Sequence, residues 1–129
     1  MTGCGKVNFL ISRMQKIENN MEKLAVMIKI RKYLSNTKGE LSEEFTEKLL
    51  RETNIMSLVS MKLKSNSRYI ILESLWILVN LTCGNEQNIK VIFSPCYQIL
   101  ETFDLILNAN DFQMINLVLT SLSNALIET

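Results

Sequence analysis

SRYIILESLWILVNLTCGNE, residues 67–86, is the longest mostly apolar segment with a helical pattern in this 129-residue chain. Its apolar residues cover most of the circumference of a helix, which predicts one long helix packed between neighbours on two sides. Gly84 follows the last apolar residue, and we expect it to end the helix in the left-handed conformation that glycine adopts easily. The stretch therefore predicts a central, mostly buried helix.

One narrow stripe of this helix departs from the apolar pattern. Steps of four, three and four residues place its members in a row on one face: Tyr69, Glu73, Trp76 and Asn80. Trp76 is the only tryptophan in the chain. A tryptophan with a purely structural role would be expected among the leucines and isoleucines. The stripe therefore indicates a surface that either binds a ligand or docks on a neighbouring helix or subunit.

A second polar stripe follows in DFQMINLVLTSLSNALIE, residues 111–128. Its members are Gln113, Asn116, Thr120, Asn124 and Glu128. Asn124 follows Asn80 by 44 residues, and Asn80 follows Asn36 by the same interval. Periods of about 40–47 residues built from two or three helices are typical of armadillo and HEAT solenoids. The spacing therefore predicts an internal helical repeat.

Within this repeat, the segment WILVNLTCGNEQ resembles the third helix and following turn of an armadillo repeat, particularly those of importin-α. Trp76 and Asn80 match the Trp-x-x-x-Asn hallmark of that family, and the resemblance covers about residues 21–129. It implies an all-α fold, an armadillo-type α-solenoid in which about three repeats form a superhelical helix array. The implied divisions are an N-terminal capping segment over residues 1–20 and repeats over about residues 21–64, 65–108 and, in part, 109–129.

The resemblance also implies a site. In importin-α-like repeats the third helices line a concave groove, where asparagines hold the backbone of an extended peptide and tryptophans frame slots for lysine or arginine. By position, Asn80 and Asn124 would clamp the peptide backbone, and Trp76 would attract a cation. Thr120 replaces a second tryptophan, and Glu128 stands where an acidic residue meets a peptide lysine. The residues predicted to bind peptide are Glu73, Trp76, Asn80, Gly84, Thr120, Asn124 and Glu128.

Two functions follow as hypotheses. The first is a non-catalytic protein-binding module that takes an extended, basic peptide of the nuclear-localisation type, with a role in protein transport implied by the resemblance alone. The alternative is a degenerate armadillo scaffold subunit of a larger assembly, without a peptide ligand. The single tryptophan favours the scaffold, because Thr120 and Lys32 stand where the family has others. The matched residues favour the peptide binder: Trp76, Asn80, Gly84, Asn124 and Glu128. The leucine-rich last helix predicts that a partner or a second copy covers the C-terminal end.

The composition argues against several other functions. The chain has no histidine, which removes the usual general base and the commonest zinc ligand, so we predict no enzyme activity, no cofactor and no metal site. A net charge of +1 gives no reason to expect nucleic acid or a membrane surface as partner. No apolar run approaches the ~18 residues of a membrane span. Three cysteines without a close pair, and no secretory signal pattern, predict a reducing compartment, cytoplasmic or nuclear.

The other helices are predicted from apolar periodicity and capping residues. Gly39 is expected to stop a helix and Ser42 to cap the next one. Pro95 is expected in the first turn of a helix, and Asn110 or Asp111 is expected to cap the last. The predicted spans are about residues 7–36, as one helix or two joined near residues 18–20, and then 43–52, 55–64, 86–93, 95–108 and 111–128.

Overall fold

The computed structural model of the chain describes residues 3–37 and 42–128, without the side chains of residues 37, 42 and 128. These ranges contain α-helices joined by short turns and no strand, which confirms the predicted all-α fold. The predicted stop at Gly39 and the side-chain cap at Ser42 lie outside what is described. The helices are α1 (Gly3–Gln15), α2 (Asn20–Thr37), α3 (Ser42–Glu52), α4 (Ile55–Lys62), α5 (Arg68–Leu81), α6 (Glu86–Ile92), α7 (Ile99–Leu107) and α8 (Phe112–Glu128).

The N-terminal helical region is two helices. α1 ends at Gln15, and the chain turns before Asn19. The side-chain oxygen of Asn19 accepts hydrogen bonds from the backbone N–H groups of Met21 and Glu22, at 2.7 and 3.3 Å. These are donors that a helix start leaves without an intrahelical partner, so Asn19 acts as the N-cap of α2. Asn19 therefore marks the start of α2 after the break that follows α1.

The helices recur at a fixed interval. α3, α4 and α5 begin at residues 42, 55 and 68, and α6, α7 and α8 begin at residues 86, 99 and 112, each 44 residues after its counterpart. The long helices α2, α5 and α8 pack side by side in that order, with α5 in the middle, and α3 packs on α6. A three-helix unit thus occurs twice in succession, preceded by α1 and α2.

The core of the molecule is centred on α5. One cluster of buried apolar side chains extends from α1 to α8. α5 contributes buried residues around most of its circumference, because α2 covers one side and α8 the other: Ile70, Leu72, Ser74, Leu75, Ile77, Leu78, Val79 and Leu81. Burying a leucine or isoleucine side chain contributes roughly 1.5–3 kcal/mol to folding. The burial confirms the central helix that the sequence predicts.

The predicted end of this helix is wrong. α5 stops at Leu81, and no glycine in the described residues has a positive φ, so Gly84 is not a left-handed cap. Instead, the hydroxyl of Thr82 donates to the Leu78 carbonyl at 2.8 Å, and Thr82 itself stays right-handed. Asn85 then caps α6, because its side chain accepts from the backbone N–H of Asn88. The start of α6 therefore limits how far α5 can continue.

The helix predicted to start at Pro95 also differs. Pro95–Tyr97 forms a separate 3-10 turn, and Gln98 adopts a left-handed φ of 55° before α7 begins. The Tyr97 carbonyl accepts a hydrogen bond of 2.8 Å from the Ser60 hydroxyl of α4. This contact joins the turn to α4. Pro95 thus stands in the first turn of a helix, as expected, but that helix is the short 3-10 turn and not α7.

The last helix begins at one of the two predicted caps. Asp111 accepts a hydrogen bond from the Met114 backbone N–H at 3.2 Å, while Asn110 has a left-handed φ of 58° in the preceding turn.

In residues 3–37 and 42–128, no helix is both long and apolar enough to cross a membrane.

Candidate peptide-binding surface

The candidate site lies where the three long helices meet side by side. We define the long-helix surface as the polar and aromatic residues that α5 presents, together with their partners on the adjacent helices: Arg31 and Ser35 of α2, Tyr69, Glu73, Trp76 and Asn80 of α5, and Thr120 and Asn124 of α8. The structure brings the predicted residues Glu73, Trp76 and Asn80 into one row on α5, as their helical spacing requires.

Arg31 and Glu73 form an ion pair between α2 and α5. The guanidinium donates from Nε to Oε2 at 2.8 Å and from Nη2 to Oε1 at 3.1 Å. This fork geometry is the strongest common form of an arginine–carboxylate contact. The Glu73 side chain is only 13% exposed. The hydrogen bond to Glu73 raises the pKa of Arg31 above its usual range.

Trp76 presents part of its indole to solvent, with 42% of the residue exposed. The guanidinium carbon of Arg31 lies 6.0 Å from the centre of its ring, within the range of a cation–π contact. Arg31 therefore sits where the resemblance would place a lysine or arginine of a bound peptide. It contacts both the slot wall, Trp76, and the acidic neighbour, Glu73.

Sequence reasoning missed Arg31. A signal existed, because arginine and glutamate stand 42 residues apart here, close to the repeat period. A similar pair, Arg68 and Asp111, stands 43 residues apart. Opposite charges separated by about one repeat are thus in register to pair across neighbouring long helices.

The amide of Asn80 is also engaged by α2. Its Nδ2 donates to the Ser35 hydroxyl at 3.1 Å, and that hydroxyl donates to the Arg31 carbonyl at 3.0 Å. Asn80 is half-buried. This contact uses one of the two N–H donors of the Asn80 amide.

The second predicted clamp points into the helix interface. Asn124 donates from Nδ2 to the Val79 carbonyl of α5 at 3.2 Å, near the Thr82 hydroxyl and the Cys83 sulfur. This bond satisfies a carbonyl near the end of α5, where intrahelical donors run out. Asn124 therefore joins α8 to α5, and its nitrogen is directed away from any ligand on the surface.

The remaining predicted residues take other positions. Thr120 is half-buried, and its hydroxyl donates to the Asn116 carbonyl within α8 at 2.7 Å. Gly84 is buried in the turn after α5, where Asn88 packs against it. The side chain of Glu128 lies outside what the structure describes.

At the start of α5, the same kind of contact recurs. Arg68 donates to Asp111 at 2.7 and 3.1 Å and to the Gln113 side-chain oxygen at 2.9 Å. The hydrogen bond from Arg68 lowers the pKa of Asp111, and the Met114 backbone N–H lowers it further. Beside this pair, Tyr69 is exposed. Polar residues thus connect each long helix to the next, and the aromatic rings are what the surface offers a partner.

Helices α7 and α8 carry exposed apolar side chains. Three of these leucines, which we call the end face, are Leu100, Leu107 and Leu119. Leu119 is 50% exposed, whereas Leu75, 44 residues earlier on α5, is fully buried. Leu100 and Leu107 are likewise exposed although Met56 and Leu63, their counterparts on α4 and just after it, are buried. The end face is the translated copy of a surface that, one unit earlier, packs inside the protein.

Within the described part of the chain, no three side chains of cysteine, aspartate or glutamate come together as metal ligands would. A scan of family models and a search of curated proteins found no match to this chain.

Proposed function

We propose that this chain is a non-catalytic protein-interaction scaffold of the armadillo type, which joins a larger assembly through its end face. The armadillo assignment is supported by three features. Helix triplets start 44 residues apart, the long helices α2, α5 and α8 stack in order, and Trp76 and Asn80 carry the family hallmark on the middle one. Such arrays work by presenting a continuous stack of helices to other proteins.

The observation that carries the proposal is the contrast between Leu119 and Leu75. Both are leucines on the third helix of a unit, at equivalent positions, yet one is half exposed and the other fully buried. Leu75 belongs to the buried core around α5, the helix on which α2, α4 and α8 pack. The occupant that fits the end face is therefore another helical unit with an apolar side, held by the same ridges-into-grooves packing.

The polar contacts favour the scaffold over a peptide receptor. Arg31 occupies the cation slot of Trp76, while the amide nitrogens of Asn80 and Asn124 donate to neighbouring helices. Each of these groups strengthens the stack of long helices. The surface that remains exposed is aromatic and apolar, which suits a protein partner more than an extended basic peptide.

The experiment that tests this function measures association. We expect the wild-type protein to self-associate with rising concentration in sedimentation equilibrium, or to bind an uncharged apolar dye such as Nile red when it is monomeric. Leu119→Lys should abolish both the self-association and the dye binding, because it places a charge in the end face. Met21→Lys, at an exposed apolar residue of α2, is the matched control and should leave both intact. A wild-type monomer at high concentration that binds no dye would rule the proposal out.

The second candidate function is importin-α-like recognition of a basic, nuclear-localisation-type peptide, with a place in protein transport between cytoplasm and nucleus. It is favoured by the exposed part of Trp76 in its Trp-x-x-x-Asn setting. A peptide cation would have to displace Arg31 from the indole. Two asparagine contacts at about 0.5–1.5 kcal/mol each and one cation–π contact at about 0.5–2 kcal/mol leave little affinity after association costs.

A fluorescence titration separates the two candidates. The emission of Trp76 is followed at low salt while a Lys/Arg-rich peptide is added to wild type, Arg31→Ala and Asn80→Ala. Peptide recognition predicts a saturable change that is weaker in Asn80→Ala and stronger in Arg31→Ala, since the slot is then open. No change in any of the three at millimolar peptide removes the transport function and leaves the scaffold.

A further inference from the structure

A cleft of about 460 Å³ opens between the end of α1, the start of α2 and α4. It is separate from both the long-helix surface and the end face, which are built from other residues. Its walls are largely apolar, with Met14 of α1 on one side and Leu58 and Met61 of α4 on the other. Pockets of about 300–1,000 Å³ with apolar walls and a few polar groups are typical of small-molecule sites.

Two lysines face this cleft without an acidic partner. Lys23, in the first turn of α2, and Lys62, the last residue of α4, both line it, and no aspartate or glutamate is among its lining residues. In the part of the chain that the structure describes, no ion pair includes either lysine. Burial lowers the pKa of Lys62, and the positive charge of Lys23 lowers it further. The two ammonium groups therefore repel each other across an apolar-walled space.

We propose that this cleft binds a small amphipathic anion. The anionic head lies between Lys23 and Lys62, where it relieves their repulsion, and the amide of Asn54 offers a further hydrogen-bond donor. The apolar chain lies along Met14 and Met61, which adapt to irregular shapes because their side chains are unbranched. A neutral apolar occupant would leave two partly desolvated cations uncompensated, so charge complementarity selects an anion.

This site does not repeat in the second unit. The positions 44 residues after Met61 and Lys62 are Leu105 and Ile106, and Ile106 is a buried core residue. The lysine is thus a feature of the first unit alone. The inference is independent of the proposed scaffold function, because it uses neither Trp76 nor the end face.

Methionine-methyl NMR provides the test. The full chain is labelled with ¹³C-methyl methionine, and Met14 and Met61 are assigned with the Met14→Leu and Met61→Leu variants. Sodium octanoate is titrated in, and octan-1-ol serves as the uncharged comparison. We expect saturable shifts at these two methyl groups with octanoate only. Lys23→Gln and Lys62→Gln should each raise the apparent Kd for octanoate about fivefold. That change is the upper range for the loss of one partly exposed ion pair.

The matched control is Lys29→Gln, which removes an exposed lysine of α2 outside the cleft and should leave the octanoate affinity unchanged. Added salt should weaken binding, because it screens the two cations. The proposal is overturned if neither methyl group shifts saturably, if octan-1-ol acts as strongly as octanoate, or if the cleft variants bind as wild type does. Shifts confined to Met114 of α8 would also overturn it, since the anion would then bind elsewhere.

Discussion

Arg31 and Glu73 are 42 residues apart in the chain and share two hydrogen bonds of 2.8 and 3.1 Å. The pair joins α2 to α5 at the centre of the long-helix surface. It also brings the guanidinium to 6.0 Å from the ring centre of Trp76. The same guanidinium therefore joins two long helices and lies against the exposed indole.

Breaking this pair from one side should destabilise the fold. Arg31→Ala leaves the largely buried Glu73 carboxylate without its partner, and we expect the free energy of unfolding to fall by about 1–3 kcal/mol. Urea denaturation measures the change. Lys32→Ala, at an exposed neighbour on the same helix, should stay within about 0.5 kcal/mol of wild type.

The double variant Arg31→Met with Glu73→Met separates the net contribution of the ion pair from the cost of leaving one charge unpaired. Replacing both charges by apolar side chains leaves no uncompensated carboxylate, so most of the lost stability should return. If Arg31→Ala had the same free energy of unfolding as Lys32→Ala, the ion pair would not stabilise the packing of α2 on α5.

The two equivalent leucines should differ sharply in their contribution to stability. Leu75→Ala creates a cavity in the core and should lower the free energy of unfolding by about 2–5 kcal/mol. Leu119→Ala, at a half-exposed position, should lower it by less than about 1 kcal/mol in a dilute monomer. Thermal or urea unfolding of both variants under identical conditions makes the comparison. Equal losses would mean that Leu119 is covered even in the monomer.

Gly84→Ala should disturb the contact between α6 and α3. A methyl group at Gly84 would come within 3.0 Å of Asn88 Nδ2, the atom that donates to the Glu43 carbonyl of α3 at 3.2 Å. We expect a loss of about 1–3 kcal/mol, because the buried amide must move or lose its partner.

Asn88→Ala is the variant that isolates this cause. It removes the obstructing side chain, so adding Gly84→Ala to it should have little further effect on the free energy of unfolding. If the two substitutions lowered the free energy of unfolding additively, the cost of Gly84→Ala would instead arise in the backbone of the turn.

The pair of Arg68 and Asp111 should appear in the pH dependence of stability. The folded state lowers the pKa of Asp111, so its contribution is fully present above the ordinary pKa of an aspartate. That contribution is lost as the pH falls through the lowered value in the folded state. Asp111→Asn should therefore unfold with a shallower pH dependence in acid, while asparagine still serves as an N-cap.

The control for this prediction is Asp104→Asn, an exposed carboxylate on α7. Its acid unfolding profile should run parallel to that of wild type in urea titrations at successive pH values. High salt should reduce the difference at Asp111, because its ion pair is accessible to solvent. If the acid unfolding profile of Asp111→Asn overlaid that of wild type, the pair would make no contribution to the pH dependence of stability.

Helix boundaries show where local sequence stops being sufficient. The break between α1 and α2 follows from local capping by Asn19, and the start of α8 follows from Asp111. The turn at Pro95 depends on Ser60, 37 residues away from the carbonyl that it contacts. The role of Gly84 depends on Asn88 packing against it. Contacts of this kind are invisible to a helical pattern, which records only the spacing within one element.

The all-α fold, the central buried helix and the 44-residue interval follow from the amino-acid pattern, because apolar periodicity and capping are local properties that recur with the repeat. The same pattern places Glu73, Trp76 and Asn80 in one row. The partners of those side chains depend on how the helices pack. The partners of Glu73 and Asn80 lie on α2, 42 and 45 residues away, and their direction depends on how whole helices pack. For the same reason Leu75 is buried and Leu119 exposed, since burial is set by the neighbouring helix and not by the residue itself.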